Sequence, residues 1–154
     1  MMTEISLNIL DIAQNSIQAK AKYIDIEVAV DTAADTLTVF VEDDGCGMSP
    51  EQLAQATDPF YTTRTTRKVG LGLSFFKLAA ESTGGSFSIL SDPGKGTLVQ
   101  AQFVLSHIDR MPLGDITGTI STLILFNQDI RFRYVYQYDG KSFVLDTNDL
   151  REIL

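Results

Sequence analysis

Long apolar runs are missing from this chain, and no stretch reaches the roughly 18 residues that a membrane-spanning helix requires. Cysteine is nearly absent: Cys46 is the only one and has no partner for an internal disulfide. The opening MMTEISLN carries neither the basic nor the apolar segment of a secretory signal. Together these features predict a reducing, cytoplasmic setting. Positive charge is scarce as well, with 12 Lys and Arg against 20 Asp and Glu and a net charge of −8. That balance excludes the basic surface on which nonspecific binding to nucleic acid or anionic membrane depends, so neither is expected as a partner. Two phosphate loops are also missing. Around GKGT, position 89 is Ile and position 96 is Gly, which breaks the Walker spacing. Neither Gly45 and Gly47 nor Gly70 and Gly72 are followed by the third glycine of a dinucleotide fingerprint. Any nucleotide site here must be built another way.

What is present suits one globular domain of 154 residues, 44% apolar, with room for a small extension. From Thr3 to about Lys20, Ile5, Ile9 and Ile12 recur at helical spacing with Leu10, Ala13 and Ile17 beside them. The opposite flank, Glu4, Asn8, Asp11, Asn15 and Gln18, reads as a continuous polar stripe. YIDIEVAV and DTLTVFVED alternate with period two around DTAAD and predict two antiparallel strands. SPEQLAQA predicts a short helix capped by Ser49, with Pro50 in its first turn. The threonine-rich loop TDPFYTTRTTRKV follows, then a long helix, GLGLSFFKLAAEST, stopped by Gly84 and Gly85. SFSILS and TLVQAQFVL predict a second strand pair turning at DPGKG. Past His107, Ile116, Ile120, Leu123 and Ile124 mark a helix. A hairpin turning at Asp139 and Gly140 comes next, and NDLREIL makes a last helical turn.

One stretch raises a chemical question. In TLTVFVED, Leu37, Val39 and Val41 share a strand face, and two residues later Asp43 inherits it. An isolated buried carboxylate is costly, so Asp43 needs hydrogen-bond donors from the protein or from a ligand. Asp44 and Cys46 beside it read as bystanders, since a lone loop cysteine among acids is a poor thiolate.

Four stretches, in order, resemble the boxes of the GHKL ATPase superfamily, the Bergerat-fold proteins that include DNA gyrase, heat-shock chaperones, histidine kinases, mismatch-repair ATPases and anti-sigma-factor serine kinases. DIAQNS resembles the N box and DDGCGM the first glycine box. DPFYTTR resembles the lid segment, and VGLGLSFFK with GKGT the later glycine boxes. The resemblance covers residues 4 to 105 and implies an α+β fold, a two-layer sandwich with helices on one face of a mixed, mostly antiparallel sheet. It implies ATP and Mg2+ as cofactors.

The resemblance also assigns roles, each with a plainer reading beside it. Asn15 is implied to ligate Mg2+ through its amide oxygen; otherwise it is a solvated helix residue. Asp11 stands where related ATPases and serine kinases carry a glutamate that activates the attacking water or hydroxyl, and histidine kinases an asparagine. Aspartate keeps the basic oxygen but is one methylene shorter, and a base must come within about 2.6 to 3.2 Å of its proton or use one water. Asp11 is therefore either the catalytic base of a slow reaction or a second-sphere magnesium partner. Asp43 is implied to accept the adenine amino group, which selects adenine over guanine. Gly45 and Gly47 let the backbone approach the base, and Met48 closes that box. Arg64 and Lys68 of the lid are implied to neutralise the triphosphate, with Phe60 anchoring the lid or simply filling the core. Gly70, Leu71, Gly72 and Leu73 open a helix whose first amides can cradle phosphate. Lysine at 68 replaces a glycine of the family pattern. Thr97 resembles the threonine used on the adenine ring, often through water; a strand-initiating threonine is the competing reading.

Residues 1–108 are expected to form the ATP-binding domain and 109–154 an extension that fits no box. No phospho-accepting histidine precedes the boxes, since His107, the only histidine, follows them. The size resembles the free-standing anti-sigma serine kinases. The resemblance points to a Mg-ATP-binding, histidine-kinase-like domain of signal transduction that phosphorylates or regulates a partner protein. It leaves open whether the chain is a kinase-like transferase, a slow ATPase or a nucleotide-dependent protein-binding switch with little catalysis. In the extension, Phe132, Tyr134, Tyr136 and Tyr138 alternate, with Phe143 and Leu145 across the turn. This aromatic face is expected to pack on its own domain and to offer a partner or homodimer surface.

Overall fold

The computed structural model of the protein describes residues 4–58 and 71–153. In chain order its elements are α1 (Ile5–Gln18), β1 (Tyr23–Asp31), β2 (Thr36–Asp43), α2 (Pro50–Ala56) and α3 (Leu71–Glu81). They continue with β3 (Ser86–Asp92), β4 (Gly96–Val104), α4 (Ile116–Phe126), β5 (Arg131–Tyr138), β6 (Lys141–Asp146) and α5 (Thr147–Ile153). One six-stranded sheet runs β3-β4-β2-β1-β5-β6. β5 lies parallel to β1, and every other pair is antiparallel. This is the α+β sandwich with a mixed, mostly antiparallel sheet that the resemblance implies.

Alternation decides which face the helices cover. Ile24, Ile26 and Val28 of β1 and Leu37, Val39 and Val41 of β2 are all at most 2% exposed. Val99, Ala101 and Phe103 of β4 continue the layer, and Ile5, Ile9 and Ile12 of α1 and Phe76 of α3 close over it. Phe76 meets Phe103 with ring centroids 5.7 Å apart. Each such buried side chain stabilises the fold by about 1.5–3 kcal/mol. α1 is the central helix, touching α3 on one side and α4 on the other.

Local chemistry sets the ends. Ser49 accepts from the Gln52 amide while the Gln52 side chain accepts from the Ser49 amide, a reciprocal cap that starts α2 at Pro50. Asp139 and Gly140, at φ 49° and 86°, are the two left-handed residues a tight hairpin needs between β5 and β6. The aromatic row of β5 is covered at its start, with Phe132 and Tyr134 buried, and open at its end, where Tyr138 and Phe143 are exposed.

The flank of α1 read as uniformly polar differs from that expectation at one point. Asn8 is fully buried. Helices stand on both sides of α1, so its buried arc is wider than a single apolar stripe and takes in the first turn of the polar flank.

Candidate functional site

Asp43 ends β2 on the core face, and the protein itself supplies its donors. Ser16 Oγ donates to Asp43 Oδ2 at 2.6 Å, and the Gly45 amide donates to Oδ1 at 2.8 Å. Ser16 comes from α1, one residue past Asn15, so the strand end and the helix are tied together at this point. Thr97 is the direct cross-strand partner of Asp43 in the β2–β4 register. Its hydroxyl shares a 2.8 Å hydrogen bond with Ser91 Oγ, and that oxygen also accepts from the Met48 amide at 2.8 Å. Met48 thereby joins the glycine-box loop to the end of β3. A hollow of about 250 Å³ opens at this end of the sheet, lined by Tyr23, Glu42, Leu90 and Leu98 of the face away from the helices together with Asp43 and Thr97.

Gly47 is held at φ +68°, and a Cβ there would overlap the Asp92 backbone, so the loop passes the β3–β4 turn in a way only glycine permits. The neighbouring acid has a structural task. Asp44 Oδ1 accepts from the Lys22 and Tyr23 amides at 2.8 and 3.0 Å, fastening the loop to the start of β1. Cys46 is exposed.

The second group of predicted residues sits where α1 meets α3. Gly72, in the first turn of α3, lies so close to Asp11 that a Cβ there would stand 2.5 Å from Oδ2. Burial pushes the Asp11 carboxyl above its usual range, with no cation or donor among the described residues offsetting it. One turn on, Asn15 accepts from the Ala19 amide through its backbone carbonyl at 2.9 Å, and its side chain stays half-buried on the same flank. Leu71 begins α3, and Leu73 is buried in the core. Asp11, Asn15 and Gly72 are not in the lining of the hollow at Asp43. Ser16 and Asp43 link the two groups through α1. The predicted residues Phe60, Arg64, Lys68 and Gly70 lie outside the described residues.

The donor set suits a hydrated hard cation and a nucleotide. Among the described residues no three His, Cys, Asp or Glu side chains converge on a metal position. A cation here would rest on the Asn15 amide oxygen and on oxygens brought by the ligand, a pattern that fits magnesium. Asp43 accepts one hydrogen bond at each oxygen and keeps lone pairs for an incoming amine.

Two contributing residues escaped the reading of the sequence. Ser16 follows Ile5, Ile9 and Ile12 at helical spacing, and a hydroxyl on that apolar stripe is the available signal. Ser91 ends the inward alternation of Phe87 and Ile89 in the same way.

Residues 2–107 match the family described as histidine kinase-, DNA gyrase B-, and HSP90-like ATPase. The sensor protein kinase FleS of Pseudomonas aeruginosa is 38% identical over 108 residues, covering 70% of this chain and 26% of FleS. An NtrY-like sensor histidine kinase of Rickettsia conorii is 30% identical over 108 residues, 70% of this chain and 18% of the kinase. The chain thus spans about a fifth to a quarter of the length of these relatives. Among solved structures, the Aquifex aeolicus MutL ATPase domain complexed with ADP superimposes with a TM-score of 0.61 at 13% identity. That likeness of fold covers 95% of this chain and 64% of the MutL chain. No helix among the described residues is long and apolar enough to cross a membrane. The matched segment runs from α1 past the end of β4 and contains both groups of site residues, and on that ground the chain belongs to the histidine kinase-, DNA gyrase B- and HSP90-like ATPase family.

Proposed function

We propose that this domain binds an adenine nucleotide with Mg2+ in cytoplasmic signalling and passes the terminal phosphoryl group to a partner protein. The observation that carries the reading is the pairing of Asp43 with Thr97 at the end of adjacent strands, with the carboxylate oriented by Ser16 and the Gly45 amide. A carboxylate held this way accepts an adenine amine and leaves guanine, which presents a carbonyl there, unmatched. Asn15 would hold Mg2+ by its amide oxygen, and that ion would supply positive charge against the phosphates. Asp11, desolvated beside Gly72, would take the proton of the attacking group or steady a water beside the ion. Arg64 and Lys68 supply positive charge that would balance the phosphates. The sensor-kinase relatives support phosphoryl transfer, and the ADP in the MutL structure supports the nucleotide.

The short reach of aspartate at position 11 favours a second reading, a nucleotide-dependent switch with little turnover. Incubation with gamma-labelled ATP and Mg2+, alone and with cell extract, separates the two. Label on a partner protein is the expected result, free phosphate marks a slow ATPase, and tight retention with neither marks the switch. ADP or ATP at millimolar concentration should raise the melting temperature, because a ligand that binds only the folded state stabilises it. No rise with any adenine nucleotide overturns the reading.

A further inference from the structure

Ser91 does more than end β3. Its hydroxyl oxygen meets the Met48 amide at 2.8 Å, the Gly96 carbonyl at 3.1 Å and Thr97 Oγ1 at 2.8 Å. Ser91 stands directly across from Thr97 in the β3–β4 register, and Thr97 directly across from Asp43 in the β2–β4 register. The three side chains thus form one row over adjacent strands. By distance alone, either oxygen of the Ser91–Thr97 pair could supply the proton between them. The other two contacts decide it. A serine hydroxyl has one proton and two lone pairs. An amide N–H only donates, so Met48 takes one lone pair, and a carbonyl only accepts, so the Ser91 proton goes to Gly96. What remains for Thr97 is the second lone pair, and the proton between the two hydroxyls is therefore the one on Thr97. This arrangement makes three hydrogen bonds. The reverse one, with Ser91 donating to Thr97, makes only two.

With its proton held by Ser91, Thr97 offers a ligand lone pairs alone, and Asp43 beside it offers the same. Side chains directly opposite on neighbouring strands have Cβ atoms about 4.5–5.5 Å apart, so both acceptors lie within reach of one edge of a bound base. An edge that carries an amine finds acceptors there, whereas one that carries a carbonyl sets its own lone pairs against theirs. We infer that Ser91 is a positioning residue for base selection, fixing the Thr97 hydroxyl as an acceptor so that the site takes 6-amino purines and rejects 6-oxo purines. The inference rests on the adenine-nucleotide reading and adds to it a residue that reading does not use. Without Ser91, the Thr97 hydroxyl is free to turn and donate to a carbonyl.

The test compares ADP with IDP, its 6-oxo counterpart, by calorimetry on the full chain. Ser91→Ala is expected to narrow the preference for ADP at least about fivefold, the size of one ordinary hydrogen bond. In a Thr97→Val background, which lacks the hydroxyl, adding Ser91→Ala should leave the ADP-to-IDP ratio within twofold. A Ser91→Ala protein that loses affinity for both nucleotides equally has lost only structure, and that result overturns the inference. Neutron diffraction from nucleotide-free wild-type crystals reads the proton directly. Deuterium on Thr97 Oγ1 aimed at Ser91 is expected, and deuterium on Ser91 Oγ aimed at Thr97 overturns the inference. The neutron map also decides the point if Ser91→Ala does not fold. Should the wild-type chain bind neither nucleotide, the proposed function fails by that result, and the neutron map still decides the direction of the proton.

Discussion

Asp43 shows how one residue serves the fold and the site together. Its two oxygens take Ser16 Oγ and the Gly45 amide, and Ser16 itself is 2% exposed. Replacing Asp43 by Ala therefore does more than delete a ligand contact. It leaves the buried Ser16 hydroxyl only its long bond to the Ile12 carbonyl at 3.5 Å, and the melting temperature should fall. Adding Ser16→Ala should recover part of that loss, because the hydroxyl deprived of its better acceptor goes with it. Nucleotide affinity, followed by calorimetry, should drop at least tenfold in Asp43→Ala and stay lost in the double variant. A Ser16→Ala change that restores binding would contradict the role given to Asp43. At this scale the sequence was readable in part. The period-two alternation through Val41 placed Asp43 inward, but Ser16 is 27 positions away in the chain, and only the packing of α1 over β2 brings it to the carboxylate.

Between elements, the parallel junction of β1 and β5 carries its own chemistry on the face opposite the helices. Arg133 of β5 contacts Asp25 and Glu27 of β1, each at 3.3 Å. Burial, followed by a hydrogen bond and repulsion from Glu27, outweighs the arginine and raises Asp25 from 3.8 to about 6. Protonated Asp25 is thus the form that favours the fold. Its contribution is complete below about pH 4 and is lost as pH rises through about 6. Asp25→Asn keeps the neutral form at every pH. It should melt higher than wild type above pH 6 and match it near pH 4, as thermal unfolding from pH 4 to 8 would show. A constant difference across that range would refute the raised Asp25 pKa. The alternation of YIDIEV already put Asp25 and Glu27 on one face, while Arg133, more than 100 residues on, reached them only through the strand order.

For the whole molecule, residues 109–154 are part of the sheet and of the helical layer. β5 pairs with β1 along its full length from Tyr23 to Val30, and α4 lies against α1, with the Ile5 and Ser6 amides donating to Pro112 and Leu113 at 2.9 Å. Ile120, Leu123 and Phe132 are core residues together with Ile9 and Val28. A chain cut after residue 108 exposes one edge of β1 and one side of α1. It should melt at least about 10 °C lower or aggregate, by calorimetry and light scattering, since a few kcal/mol shifts a domain of this size by that much. Unchanged melting in the shortened chain would show that the hairpin and α4 add nothing to the core.

By itself, the sequence determined the elements and the chemistry at their ends: the helical stripe of Ile5, Ile9 and Ile12, the alternating strands, the left-handed turn at Asp139 and Gly140, and the inward acid after Val41. These follow from periodicity and backbone sterics, which act over a few residues and are written in local order. Tertiary structure alone decided what those elements meet. It set Ser16 on Asp43, Thr97 across from it, Gly72 against Asp11, β5 parallel to β1, and Asn8 in the interior rather than on a wet stripe. The reason is that burial and hydrogen-bond partnership depend on which surfaces close over a residue, and that is a property of the folded arrangement that no local pattern contains.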